Sequence, residues 1–108
     1  MKKDTIFMRI LVFFDLPTAT AKNRRDAAGF RNNLMKDGYY MVQYSVYCRL
    51  CKGMDSAQKH IRRLMTYTPT EGSIRVLEVT ENQYERMKII LGAKQIAEEI
   101  DSRQLILF

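Results

Sequence analysis

A chain of 108 residues can hold one hydrophobic core, so residues 1–108 read as a single domain, and a hydrophobic fraction of 46% excludes a disordered chain. No apolar run reaches the roughly 18 residues a membrane helix needs, and the run after Lys2 and Lys3 is broken by Arg9 and lacks a small-residue cleavage site; neither a membrane span nor a signal peptide is expected, and the cytoplasm is the default location. The net charge of +6 is uneven, with 13 Lys/Arg against 5 Asp/Glu in residues 1–66 and 5 against 7 in residues 67–108, so the first part suits a polyanionic partner such as nucleic acid.

Met8–Thr18 (MRILVFFDLPT) is too short to span a membrane and reads as a strand buried on both faces. Pro17 has no N–H for a ladder and restricts Leu16, so the strand should stop there, leaving the Asp15 carboxylate at the C-terminal end of a central strand. Taken alone, an Asp there is also a common turn starter. Ala21–Lys36 has helical spacing, with Ala27, Phe30, Leu34 and Met35 as the buried stripe. Lys22, Arg24, Arg25 and Arg31 fall on exposed or flanking faces, and Gly38 suits a left-handed C-cap. Tyr39–Cys51 is rich in aromatic and β-branched residues and reads as strand. As one strand it would place Tyr40, Val42, Tyr44, Val46, Cys48 and Leu50 on one face, with Met41, Gln43, Ser45, Tyr47 and Arg49 on the other. A hairpin near Gln43–Ser45 would break that parity, and no Gly or Pro there decides it.

Asp55–Thr66 is the second predicted helix, with Asp55 or Ser56 as N-cap and Ala57, Ile61, Leu64 and Met65 buried. Lys59, His60, Arg62 and Arg63 give it a basic surface. Ser73–Thr80 is a strand, and Thr80 with Gln83 has the spacing of a capping box opening a short helical turn. Met87–Leu91 is expected to be a further strand closed by Gly92, Ala93–Asp101 a helix or loop, and apolar Leu105–Phe108 a terminal strand paired with another subunit. Two helices on one face of a mainly antiparallel sheet make a ferredoxin-like α+β domain. The first strand carries Met8, Ile10, Val12 and Phe14 on one face and Phe7, Leu11 and Phe13 on the other. Two helices cover only one of these faces, so a second copy of the chain should cover the other. Asp15 shares the parity of Leu11 and Phe13 and would lie near its symmetry mate.

One carboxylate is a poor metal site, but two across a dimer axis would suit Mg²⁺ with waters and substrate phosphates. Such an ion could polarise a phosphodiester and activate water. Cys48 and Cys51 have C-x-x-C spacing, but two cysteines and one histidine in the chain do not complete a zinc site. Their place at a strand end puts them on opposite faces, as reduced structural thiols. His60 lies among basic residues with no general-base partner evident and reads as a surface histidine. Gly38–Tyr44 partly resembles the strand signature of RNA-recognition motifs. Asp37, Tyr40 and Met41 depart from that signature, so core packing is the better reading of these tyrosines.

Arg9–Thr18 (RILVFFDLPT), Phe30 with Arg31, and Gly38–Tyr47 (GYYMVQYSVY) together resemble the small CRISPR-associated adaptation protein family "Cas two", nearest to its type II branch. Gly72–Glu81 (GSIRVLEVTE), Tyr84–Met87 and the Leu105–Phe108 tail support the resemblance. It implies a ferredoxin-like homodimer whose C-terminal strand pairs with the partner's sheet. It also implies that Asp15 is the metal-binding and catalytic position, one from each subunit around Mg²⁺, in an endonuclease of single-stranded RNA or double-stranded DNA. The family's broader role is as scaffold of the spacer-integration complex in antiviral defence, binding prespacer duplex DNA and bridging dimers of the integrase subunit "Cas one". Arg24, Arg25 and Arg31, with Lys22 beside them, fit the basic patch that contacts the nucleic-acid backbone. Some nuclease-active members carry a basic residue where this chain has Met41, a departure that weighs against intrinsic cleavage and leaves the scaffold role intact. The expectation is therefore a dimeric DNA-binding adaptation subunit with an Mg²⁺-dependent phosphodiesterase site at paired Asp15. An independent metal-dependent endoribonuclease and a non-catalytic RNA-binding module are the rivals.

Overall fold

The computed structural model describes residues 6–91. Its elements are β1 (Phe7–Asp15), α1 (Ala21–Lys36), β2 (Tyr40–Gln43), β3 (Val46–Lys52), α2 (Met54–Leu64), β4 (Ser73–Thr80) and α3 (Glu81–Glu85), with a 3-10 turn at Met65–Tyr67. The strands form one sheet in the order β2-β3-β1-β4, with every neighbouring pair antiparallel. This is the ferredoxin-like α+β arrangement, and β1 lies inside the sheet as its apolar sequence requires.

Alternation along β1 divides the molecule. Met8, Ile10, Val12 and Phe14 join Phe30 and Leu34 of α1 and Ala57 and Leu64 of α2 in one core, so both helices cover the same face. Phe14 meets Phe30 edge-on at 5.2 Å and Tyr47 at 5.5 Å, contacts that typically add about 0.5–1.5 kcal/mol each beyond burial. The other face carries Leu11, Phe13, Leu50 and Leu77, and the last three remain exposed.

The region 39–51 is a hairpin rather than one strand. Tyr44 and Ser45 form the turn, Gln43 pairs with Val46, and the register slips between Met41 and Gln43. The expected parity holds within β3, where Val46, Cys48 and Leu50 oppose Phe13, Leu11 and Arg9 of β1. It fails for Val42, Gln43 and Tyr44, because the turn and the bulge intervene. The face of β3 that meets the helices is the mixed one, with Tyr47 and Cys51 buried.

Other expectations are corrected. Met35 and Met65 are exposed rather than buried, since each sits at the end of its helix where the chain turns away from the core. The N-cap of α2 is Gly53, with no side-chain cap bond, rather than Asp55 or Ser56. Met87–Leu91 is not a strand: Ile89 and Ile90 are 79% and 92% exposed, and no strand among the described residues lies beside them to accept their backbone hydrogen bonds. Thr80 does form the expected capping box with Gln83 and opens α3. The expectations for Gly92, Ala93–Asp101 and Leu105–Phe108 lie outside the described residues.

Candidate functional site

Asp15 is the last residue of β1 and is exposed, on the parity of Leu11 and Phe13 as expected. Three neighbours hold this strand end. The backbone N–H of Phe14 donates to the carbonyl of Ser45 at 3.1 Å. Ser45 has φ of 64°, the one non-glycine left-handed residue among those described; an L-residue reaches that region at a cost of roughly 1–2 kcal/mol, which the bond from β1 helps to offset. Ser73 pairs with Asp15 across the sheet. Gly72 lies so close that a Cβ there would stand 2.8 Å from the Asp15 carbonyl oxygen and 2.7 Å from Leu16.

Around this end lies an open hollow of about 250 Å³ lined by Phe13, Phe14, Asp15, Ser45, Ser73 and Arg75, with Val46 beside them. Its chemistry is one carboxylate, one guanidinium and two hydroxyls over aromatic rings. No group of three or more His, Cys, Asp or Glu side chains able to hold a metal occurs among the described residues. Oxygen donors of this kind suit a hard cation, but one carboxylate per chain fits Mg²⁺ only if a second copy or a substrate phosphate supplies further oxygens.

The four cations expected on α1 do not form one cluster. With about 100° between successive helix residues, Lys22 lies on one side of the buried stripe, Arg24 and Arg31 on the other, and Arg25 opposite it. Lys22 and Arg25 line a groove of about 370 Å³ between α1 and the 67–70 segment. Lys22 also pairs with Asp26 at 2.9 Å, which raises its pKa. Arg24 turns back to donate to the carbonyl oxygens of Thr18 and Ala19 at 3.0 and 3.4 Å, bracing the loop after Asp15. Arg31 is half-buried.

His60 is not a surface residue. It is buried, with Nδ1 3.1 Å from both carboxylate oxygens of Asp37, while Arg63 donates to the same carboxylate at 2.6 Å. Arg49 donates to the Asp37 carbonyl oxygen at 2.6 Å. This cluster ties the end of α1 to α2 and β3. Cys48 and Cys51 are free thiols buried on opposite sheet faces, as expected, and burial pushes the Cys51 thiol up. Tyr39 is buried, whereas Tyr44 is 83% exposed at the hairpin tip.

Sequence reading missed two features. The first is Arg75, placed on the Asp15 face by the β1–β4 register. Its signal was period-2 alternation in 73–79, but the register needed the fold. The second is a knot around Arg9. Its guanidinium donates to both oxygens of Glu81 at 2.6 and 3.1 Å and to the Tyr40 hydroxyl at 2.6 Å. It also lies 4.5 Å from the Tyr84 ring centre. The Glu81 bonds push the Arg9 pKa up, and Arg9 in turn holds the Glu81 carboxyl below the usual carboxylate range.

The fold and the site define a ferredoxin-like α+β domain with a lone carboxylate at the exposed end of its central strand. Residues 8–87 match the family model "CRISPR associated protein Cas2". A protein of Acidovorax ebreus named CRISPR-associated endoribonuclease Cas2 is 48% identical over 102 residues, covering 94% of this chain and all of that one. Proteins of the same name from Parvibaculum lavamentivorans and Campylobacter jejuni are 41% and 43% identical, over 94% and 89% of this chain and 100% and 67% of theirs. The chain belongs to the Cas2 family and has a CRISPR-associated function.

Proposed function

We propose that the chain is the dimeric scaffold of CRISPR spacer acquisition, binding prespacer duplex DNA and bridging dimers of the integrase subunit, with an Mg²⁺-dependent phosphodiesterase site at paired Asp15. The observation that carries the reading is Asp15 itself: a lone exposed carboxylate beside an apolar sheet face that α1 and α2 leave uncovered. A second copy docked on that face supplies both the missing cover and the second carboxylate. Mg²⁺ held by the two Asp15 side chains would polarise a phosphodiester and lower the pKa of bound water. Within each chain, Gly72 and the Ser45 carbonyl keep the end of β1 in place, and the hydroxyls of Ser45 and Ser73 are within the same hollow to orient water or phosphate oxygens.

Exposed Lys22, Arg24 and Arg25, with half-buried Arg31, spread around the outer side of α1 and offer a broad backbone-contacting surface without base readout. Relatives bearing the name endoribonuclease favour the second reading, an independent nuclease of RNA. A base-stacking RNA module that uses both Tyr39 and Tyr44 is disfavoured by the burial of Tyr39.

The test is a cleavage assay of wild type and Asp15→Ala on RNA and duplex DNA, with Mg²⁺ or chelator, alongside duplex binding at several salt concentrations. Binding that weakens steeply with salt, varies little with sequence and survives Asp15→Ala supports the scaffold. Cleavage that needs both Mg²⁺ and Asp15 establishes the nuclease centre. A salt-independent or absent interaction with duplex DNA overturns the scaffold reading.

A further inference from the structure

We infer that Arg75 is a phosphate-binding residue of the Asp15 hollow, gripping the nucleic-acid backbone at the open end of the central strand rather than from α1; this rests on the nucleic-acid reading above. In the β1–β4 register Arg75 stands opposite Phe13 and Ser73 opposite Asp15, so Arg75 and Asp15 are diagonal neighbours on one face. Such positions are about 7–8 Å apart, within reach of a long side chain. Yet Arg75 takes part in none of the ion pairs among the described residues, Asp15 included. The two opposite charges line one hollow without closing on each other.

Arg75 is exposed in the single chain, and its unpaired charge becomes costly only where the face is covered. Along β4 the same face presents Ser73, Arg75, Leu77 and Val79, and across from Arg75 lie Phe13 and, one strand further, Val46. Arg75 is the one cation in that stretch, set among apolar side chains. If the face is covered, an unpaired guanidinium loses its hydration and needs an anion. A guanidinium offers a planar fork of donors that matches a phosphate. In this hollow it is the group that attracts a phosphate unaided, since the Asp15 carboxylate repels one. The hydroxyls of Ser45 and Ser73 line the same space and can donate to the remaining phosphate oxygens.

The experiment measures duplex DNA and single-stranded RNA affinity across a salt series for wild type, Arg75→Gln, Arg75→Lys and Arg25→Gln, with sedimentation to follow self-association. Arg75→Gln should lower affinity alike for all sequences and reduce the salt slope by about one, as loss of one phosphate contact does. Arg75→Lys should keep the slope and lose part of the affinity. An unchanged slope in Arg75→Gln, with the slope reduced in Arg25→Gln, overturns the role of Arg75 alone. Weaker self-association in Arg75→Gln with an unchanged slope also overturns it, because the arginine then pairs with protein. No salt-dependent binding by the wild type overturns the nucleic-acid reading and this inference with it.

Discussion

Gly72 keeps the end of the central strand in place by having no side chain. A Cβ would meet the Asp15 carbonyl oxygen and Leu16 well inside contact distance, and its φ of 104° lies where side chains are strained. The obstacle is partly backbone, so it cannot rotate away. Gly72→Ala should therefore destabilise the fold by about 1–3 kcal/mol, the usual cost of overpacking, and should displace Asp15. Denaturant unfolding reads the first effect, and any Asp15-dependent cleavage should fall with it. A different kind of strain lies under the helices, where the buried hydroxyls of Tyr39 and Tyr67 have no hydrogen-bond partner among the described residues. Burial is the first cause pushing both phenols up, Tyr67 to about 12 from an ordinary 10. An acid whose folded pKa is raised contributes stability below its unfolded pKa and loses it as pH climbs toward the folded value. Stability should thus be flat up to about pH 10 and decline between about 10 and 12. In an ultraviolet titration the Tyr39 and Tyr67 phenols should resist ionisation at the ordinary value of 10 while the fold persists; ionisation of both there in the folded protein would contradict the assignment.

α3 shows how a five-residue element can be stable when a helix that short cannot persist alone. Thr80 caps its first turn with Gln83, and Arg9 on β1 clamps Glu81 while lying against Tyr84. Thr80→Ala should cost about 1 kcal/mol. The clamp is also acid-sensitive. Glu81 is held below its ordinary 4.5, so its contribution is complete above that value and lost as pH falls below it. Hydrogen-exchange protection of the amides of residues 84–87, taken relative to the intrinsic rate at each pH, should fall in acid, and Glu81→Gln should show the weaker protection already at neutral pH. The cap was legible in the sequence because its partners are three residues apart. The clamp was not, because Arg9 and Glu81 are joined only by the β1–β4 pairing. The same distinction runs through the chain. Pro17 and Gly38 marked element ends by local backbone chemistry, and α1 showed its own period. The hairpin was hidden because Ser45 fills a position where Gly or Asn is the usual signal, with its carbonyl held by Phe14 from another strand. His60 looked like a surface residue because Asp37, its partner, is 23 positions away in sequence. Asp15 was legible as a strand-end carboxylate, whereas its companion Arg75 needed the register.

At the scale of the molecule, the sheet has one face under α1 and α2 and one that displays Phe7, Phe13, Leu50 and Leu77. Scattered exposed apolar residues are ordinary, but four of them on one sheet face make a patch. If two copies meet there, the eight side chains involved are already about half buried. At roughly 1.5–3 kcal/mol for full burial of each, closing the face is worth on the order of 6–12 kcal/mol. Association costs an estimated 4–15 kcal/mol in lost freedom, so the balance is narrow and removing half of the contribution should tip it. Leu50→Lys with Leu77→Lys does so without touching the core, because both side chains are exposed in the folded chain. In sedimentation the wild type should run as a dimer and the double variant as a monomer with an unchanged circular dichroism spectrum. Metal-dependent cleavage, where present, should vanish with the dimer, since one Asp15 per chain leaves the cation short of ligands. A double variant that remains dimeric would move the interface elsewhere, to the edge strand β4 or the segment beyond it. A monomeric variant that still cleaves would show that a single Asp15 suffices.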